Sequence, residues 1–400
     1  FKADDPLAYI DELQRSFELK QNKNLPIFNG GLVGYFGYDC VRYIENKLVD
    51  SEPPDQIGTP DALFMISDEV AVFDNLQNKL HLIVLIESHD DEEQANARLD
   101  ELEDKLKISL PFEDFVKPVK SIEEKDFISG FGEQEFKHSV QKAKKYIESG
   151  DIMQVVCSQR MSIPFNADPV ALYRSIRQLN PSPYMYYLNL KEFHIVGSSP
   201  EILARLEDGK ITVRPIAGTR RRGKDEEDDM AMQEDMVNDP KEIAEHNMLV
   251  DLHRNDIGKV AKFGTVKVRN LMDIKRYSHV QHISSEIVGI IDDKNDMFSA
   301  LASNFPAGTL SGAPKIEAMK IINEIEKEGR GPYGGAIGQF GFNGDCTFAI
   351  PIRSIFIKGE EAFAQTCGGN VYDSDPDKEY IEIERKLAAM KSVLDLSLIH

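Results

Sequence analysis

Charged residues interrupt an apolar helical stripe between Ala244 and Asp256, in the segment AEHNMLVDLHRND. At helical spacing Glu245, Met248, Leu249 and Leu252 fall on one face, so the pattern predicts a packed helix with an acid where a leucine would pack better. A carboxylate taken out of water costs several kcal/mol unless a cation or a donor meets it. That cation can be a metal ion, a lysine or an arginine.

Elsewhere the pattern alternates between the two periods. Helical spacing covers Pro6 to about Leu19, Asp90–Lys107, Glu133–Ser149, Pro169–Leu179, Asp296–Asn304, Pro314–Glu328 and Pro376–Leu394. The runs ALFMISDEVAVFD and KLHLIVLIES read as strands of one antiparallel sheet. Val155–Ile163, Tyr184–Leu190, Phe193–Ser198, Lys210–Pro215, Phe348–Ile357 and Glu361–Thr366 read as further strands. Adjacent strands sit on hairpin-length turns and helices interrupt them unevenly, which predicts an α+β fold rather than a doubly wound one. Pro111–Lys125, with two prolines and many charges, reads as a linker between an N-terminal region, residues 1–115, and a second region, residues 126–396. No internal repeat of solenoid length is visible.

Composition narrows the class. The 400 residues are 41% hydrophobic and 8% aromatic, which suits one or two large cores. Lys and Arg number 47 against 68 Asp and Glu, a net charge of −21 that argues against nucleic acid or an anionic membrane as partner. An anionic substrate must then be drawn in by local basic groups. The longest apolar run, near Leu80–Ile86, is too short to span a bilayer, and no leader with a cleavage site is seen. Cys40, Cys157, Cys346 and Cys367 are scattered without a Cys-x-x-Cys pair, so neither a zinc knuckle nor a disulfide framework is expected. The expectation is a soluble, cytoplasmic protein. Its first residue is Phe rather than Met, which suggests that a natural beginning is missing.

Several clusters carry chemistry. In RPIAGTRRRG the Gly218-Thr219 pair lets backbone approach a ligand and offers a hydroxyl, while the arginines that follow read equally well as a basic surface loop. In FPAGTLSGAPKIEAM, Gly308, Thr309, Ser311 and Gly312 precede a helix, an arrangement that binds a carboxylate or phosphate or simply caps the helix. Arg353 lies in the apolar run FAIPIRSIFI, so its guanidinium enters a pocket or meets a buried acid, with a bond worth roughly 1.5–3 kcal/mol at stake. Glu382 and Lys386 stand at i and i+4 on the last helix, where a solvated pair worth about 0.3–0.5 kcal/mol is the plain alternative. Glu245 and Glu382 together suit a hard divalent cation, and Mg²⁺ best, because it takes one or two protein carboxylates and completes its shell with water and substrate oxygens.

RPIAGTRRRG, EIAEHNMLVDLHRND, HVQHISSEIVG, GTLSGAPKIEAM, RGPYGGAIG and the closing strand and helix occur here in the order of the chorismate-utilising enzymes. The chain resembles that family over Phe131–Leu394, and FNGGLVGYFGYD resembles its upstream region. The resemblance implies two antiparallel β-sheets packed as a sandwich with helices on the outside. It implies Mg²⁺ on Glu245 and Glu382, and chorismate held by Gly218, Thr219, Thr309, Tyr333, Arg353, Cys367 and the Gly368-Gly369 turn. Glu201, in SSPE, matches the family's acid, which can serve only if burial keeps it protonated, since a hydroxyl leaves poorly at neutral pH. His282 matches the residue linked to pyruvate elimination, although alone it reads as a packed core histidine. Lys386 would lie near the metal and the substrate carboxylate.

Two positions separate branches of the family. Members that add water at C2 usually carry a lysine where Gln154 stands, and members that make 4-amino-4-deoxychorismate commonly carry an attacking lysine where Ala217 stands. Both positions point to ammonia at C2 and to anthranilate, the first step of tryptophan biosynthesis. The 4-amino product and a non-catalytic, ligand-sensing relative are the alternatives. Cys367 departs from a Gly-x-Gly pattern. The family's L-tryptophan inhibitor site uses an N-terminal Leu-Leu-Glu-Ser segment and NPSPYM. Only the second is present, as Pro183, Tyr184 and Met185, so inhibition is expected to be lost if the start is truly missing. No glutaminase signature occurs, so ammonia is expected from a glutamine amidotransferase subunit or from solution.

Overall fold

The computed structural model describes residues 5–17, 19, 24–49, 51–88, 91–109, 127–130, 132–277 and 280–397. The linker expected at Pro111–Lys125 lies outside the described residues. The strands are β1 (Gly31–Phe36), β2 (Ala62–Ser67), β3 (Glu69–Asp74), β4 (Lys79–Val84), β5 (Ile128–Ser129), β6 (Gln154–Pro164), β7 (Tyr184–Asn189), β8 (Phe193–Ser199), β9 (Ile202–Glu207), β10 (Lys210–Val213), β11 (Ile216–Arg221), β12 (Lys267–Arg276), β13 (Val280–Ile290), β14 (Gly312–Ala313), β15 (Ala336–Gly341), β16 (Cys346–Ala349), β17 (Ser354–Lys358) and β18 (Glu361–Asn370). The helices are α1 (Pro6–Arg15), α2 (Val41–Ile44), α3 (Glu92–Lys107), α4 (Glu133–Ser149), α5 (Pro169–Leu179), α6 (Glu226–Asn238), α7 (Pro240–Gly258), α8 (Met297–Asn304), α9 (Gly308–Ser311), α10 (Lys315–Ile325) and α11 (Pro376–Ser397).

The larger sheet has nine strands, in the order β11-β13-β10-β9-β16-β15-β1-β2 with β12 on β13. The smaller has seven, in the order β14-β6-β18-β17-β8-β7 with β5 on β6. Pairing is antiparallel in both. One core cluster joins Leu188, Phe193, Ile195 and Phe356 of the smaller sheet to Leu206, Ile211, Phe340 and Phe348 of the larger, as in a sandwich. Each such side chain contributes about 1.5–3 kcal/mol through burial. Period two sends Val155, Cys157, Met161 and Ile163 of β6 the other way, onto α4, α5, α10 and α11. The α+β sandwich with outer helices is therefore observed.

Three local expectations change. ALFMISDEVAVFD divides at Asp68: β2 joins the larger sheet, while β3 pairs with β4 in a separate hairpin whose Phe73 is 69% exposed. The expected strand Phe348–Ile357 also divides, because Pro351 has no N–H to give a ladder and Arg353 takes φ +51°. There the chain leaves β16 in the larger sheet and enters β17 in the smaller. On α7 the buried stripe is His246, Leu249, Val250, His253, Asp256 and Ile257, one position round from that expected, with Glu245 half-buried at its edge. The buried polar members have partners: His246 Nε2 meets Ser285 Oγ at 2.6 Å, His253 Nδ1 meets the Leu249 carbonyl at 2.7 Å, and Asp256 ion-pairs with Lys315.

Candidate active site

The chain crossing at Arg353 brings one cation beside the corner between β8 and β9, where Glu201 is 5% exposed. The Thr309 hydroxyl, on α9, donates to Glu201 Oε1 at 3.1 Å. Burial pushes the Glu201 carboxyl up to about 8, against the opposing pull of the Thr309 bond and the Arg353 charge. Arg353 is itself pulled below its ordinary value by burial, opposed by Tyr277 and Glu201. Among the described residues none hydrogen-bonds or ion-pairs with its guanidinium, which leaves a desolvated fork open to a carboxylate.

His282 lies on β13, opposite β11, and is 4% exposed. Its Nδ1 meets the Gly218 carbonyl at 2.8 Å and Thr219 Oγ1 at 3.1 Å. A carbonyl only accepts, so Nδ1 carries the hydrogen and Nε2 keeps a lone pair. That Nε2 is buried without a partner among the described residues. Burial lowers the His282 pKa to about 4, so the ring is neutral at physiological pH. Gly218 has φ +63°, a conformation that turns its carbonyl toward the ring at no steric cost to glycine.

Between α7 and α11 Glu245 feels the charges of Glu242 and Glu382, and Glu379 that of Glu382, although among the described residues no three such carboxylates close into a metal cage. Glu245 is raised above the ordinary carboxylate range by burial first, then by Glu242, with a further contribution from Glu382. Glu379, 8% exposed, is raised by burial and by Glu382, against a bond from Ser374 Oγ at 2.7 Å. Burial and neighbouring like charge both disfavour the ionised form of Glu245 and Glu379, and a cation placed between the helices would offset them. An oxygen-only donor set suits Mg²⁺. Lys386 holds Glu382 at 2.7 Å and the Cys367 carbonyl at 2.9 Å, although both side chains are about half exposed.

The Cys367–Gly369 segment, expected as a turn, is the end of β18, registered on β6 as Cys367↔Ser158, Gly368↔Cys157 and Gly369↔Val156. Ladder pairing to β6 holds it extended. A Cβ on Gly368 would stand 3.5 Å from Glu379 Oε2, and one on Gly369 only 2.8 Å from Gln154 Nε2. The strand end thus lies against the carboxylate cluster, and Gln154 reaches Glu245 Oε1 at 3.5 Å. Tyr333, 1% exposed, lies beside the Cys367 side chain, and burial holds its phenol well above its ordinary value.

Thus Glu201, Thr309, Arg353, His282, Gly218 and Thr219 are one connected group, and Glu245, Glu382, Lys386, Tyr333, Cys367, Gly368 and Gly369 another. Gly218 joins them, since a Cβ there would stand 3.2 Å from Glu242 Oε2. Glu242 and Glu379 escaped the sequence reading. The signal was present: Lys-Glu-x-x-Glu occurs at both 241–245 and 378–382. The arginines after Thr219 are tied down, Arg220 by Asp235, Asp239 and Glu242, Arg221 by Asp228 and Arg222 by Asp229. Tyr184 lies on β7 opposite Ser199, with Pro183 preceding it and Met185 packed on the outer core.

A family model described as chorismate binding enzyme matches residues 2–392. The chain is 49% identical over 393 residues to anthranilate synthase component 1 of Pseudomonas aeruginosa, covering 98% of this chain and 80% of that one. It is 48% identical to anthranilate synthase component 1 of Neisseria gonorrhoeae, covering 96% and 79%. The crystal structure of anthranilate synthase component I from Streptococcus pneumoniae matches with a TM-score of 0.88 at 35% identity, over 98% of this chain and 86% of that one. Matched family, close relatives and shared fold agree: the chain belongs to the chorismate-binding enzyme family.

Proposed function

We propose that the chain converts chorismate and ammonia to anthranilate and pyruvate, with Mg²⁺, as the synthase component of an anthranilate synthase in tryptophan biosynthesis. The observation that carries this reading is Glu201, a buried carboxyl with its pKa pushed up to about 8 beside an arginine that has no hydrogen-bond or ion-pair partner for its guanidinium among the described residues. At neutral pH it keeps its proton and donates it to the C4 oxygen as that group leaves. Thr309 engages Oε1, which leaves Oε2 to carry the proton. Arg353 pairs with a substrate carboxylate, and Thr219, Tyr333 and the Cys367–Gly369 strand complete the binding surface. Ammonia adds at C2. His282 Nε2 then takes the C2 proton while the C3–O bond breaks and its electron pair leaves with the oxygen, so that pyruvate departs as its enolate and is protonated at carbon by water.

Glu245 and Glu382 would hold Mg²⁺, with Lys386 balancing their charge near the substrate carboxylate. When bound, the ion supplies positive charge against a substrate carboxylate and absorbs charge that develops as the ring reacts. In this reading the chain is a cytoplasmic synthase component that receives ammonia from a glutamine amidotransferase subunit, and Pro183, Tyr184 and Met185 form part of an L-tryptophan site; the relatives' name, component 1, fits an enzyme of more than one component. Ala217, 8% exposed, offers no amine for attack at C2, which disfavours 4-amino-4-deoxychorismate as product. The test is anthranilate fluorescence from chorismate, Mg²⁺ and ammonium at mildly alkaline pH. Accumulation of 4-amino-4-deoxychorismate, or no turnover, refutes the reading.

A further inference from the structure

Behind the site lies a buried ion pair that the proposed chemistry does not use. Arg330 is 2% exposed and Glu326 6%. The guanidinium donates to both Glu326 oxygens, at 2.9 and 2.7 Å, and to the carbonyls of Leu310 at 2.5 Å and Val156 at 2.7 Å. Tyr38 stacks on it, 4.4 Å from ring centroid to guanidinium carbon. Glu326 Oε1 also accepts the Ser158 N–H at 2.7 Å.

Each backbone group held this way neighbours an expected substrate-binding residue. Leu310 follows Thr309. Val156 and Ser158 are the register partners of Gly369 and Cys367. The Tyr333 N–H bonds the Arg330 carbonyl at 3.2 Å, in the same turn. Desolvating two charges is expensive, and apolar residues of similar volume would fill the space at less cost, so packing alone does not account for the pair. A planar guanidinium fork fixes the directions of several acceptors at once, which a lysine does not.

We infer that Arg330 and Glu326 are positioning residues, a clamp that sets the spacing of Thr309, Tyr333 and the Cys367–Gly369 strand around the substrate carboxylates. The inference rests on the chorismate reading and adds what holds its binding elements in register. Arg330→Lys and Glu326→Gln are to be compared with wild type in the ammonia-dependent assay at saturating Mg²⁺. Loss of contacts made equally in ground and transition states raises KM and spares kcat. Because a charge-assisted bond to a substrate carboxylate is worth about tenfold or more in affinity, chorismate KM is expected to rise by about tenfold or more in both variants, with kcat down by less than about threefold. The ammonium KM is expected to stay as it was. Folded variants with wild-type chorismate KM overturn the clamp, as does a loss confined to Tm or yield. Should neither variant fold, hydrogen exchange on the unmodified enzyme decides: the Ser158 and Tyr333 amides are expected among the slowest before chorismate is added. Exchange as fast as in exposed loops overturns the inference. An inactive wild type instead counts against the functional reading.

Discussion

Thr309 donates its hydroxyl hydrogen to Glu201 across 3.1 Å, tying the four-residue helix α9 to the corner between β8 and β9. The bond favours the carboxylate, whereas burial favours the acid and wins, leaving the group near 8. The active form is the protonated one, so kcat measured at constant free ammonia should fall as pH rises through about 8. Thr309→Val removes the one bond that lowers the pKa, and the alkaline limb should move to higher pH. Glu201→Gln should lose roughly 10²–10⁴ in kcat below about pH 8, the usual span for a positioned acid, with the gap narrowing as the wild type itself deprotonates. An unmoved limb in the valine variant would show that another group sets it.

How far the sequence disclosed this site follows from where period and packing agree. Helix α5 was legible end to end because Asp168 caps it, Pro169 starts it and its apolar face is regular. Arg353 was legible as a buried cation but not as a crossing point, since Pro351 and a positive φ interrupt an apolar run that otherwise reads as one strand. Strand β11 is absent from the strands that the pattern predicts, because its glycine and arginines look like loop chemistry and its pairing with β13 is non-local. The stripe on α7 was misplaced by one residue because His246, His253 and Asp256 are buried with partners that lie far off in sequence or on the backbone. Only the assembled sheets show which polar residues are satisfied.

The tautomer of His282 makes its role separable from the first step. With the Nδ1 hydrogen held by Gly218 and Nε2 without a partner among the described residues, the ring is poised to accept a proton at Nε2 and has none to give there. His282→Gln should keep ammonia addition and stall elimination, so that the amino adduct of chorismate accumulates while anthranilate formation falls by about 10²-fold or more. Mass spectrometry of the quenched reaction distinguishes the two. Equal loss of adduct and anthranilate would assign His282 to the first step instead.

Gly218→Ala tests the backbone beneath that histidine. At φ +63° a Cβ would stand 3.2 Å from Glu242 Oε2 and 3.3 Å from Met236 Sδ. The left-handed conformation alone costs a non-glycine residue about 1–2 kcal/mol. Calorimetry should therefore show a lowered Tm, and kcat should fall further than stability explains because the carbonyl that orients His282 shifts. A variant of wild-type Tm would mean that the backbone of β11 relaxes freely at this point.

Glu245 and Glu382 answer to a metal titration without any turnover. A cation that binds only the folded state raises Tm in proportion to the logarithm of its concentration over Kd. Mg²⁺ should stabilise the wild type, and Glu245→Gln should remove both that stabilisation and the activity. Glu379→Gln, which leaves Glu245 and Glu382 in place, should weaken binding by about 10- to 100-fold. Activity that survives in Glu245→Gln with unchanged Mg²⁺ dependence would remove Glu245 from the metal site.

Gln154, 3% exposed, stands between the strand end at Gly369 and the carboxylate of Glu245. An amide neither gives nor takes a proton at neutral pH, which suits ammonia because it attacks unaided, whereas water needs a base to become a nucleophile. Lysine at this position would be pulled toward its neutral form by burial and toward its charged form by Glu245, 3.5 Å from the present amide nitrogen. Where burial prevails, the amine can deprotonate water at C2. Where the ion pair prevails, it competes with the cation for Glu245. Gln154→Lys should therefore lower the ammonia-dependent rate by on the order of tenfold and yield the C2-hydroxylated product when ammonia is omitted, as chromatography of the products would show. Only the first effect is expected if Glu245 captures the amine, and a double variant with Glu245→Gln cannot rescue it, since the metal carboxylate is then lost. An unaltered rate with anthranilate as sole product would mean that Gln154 takes no part in choosing the nucleophile.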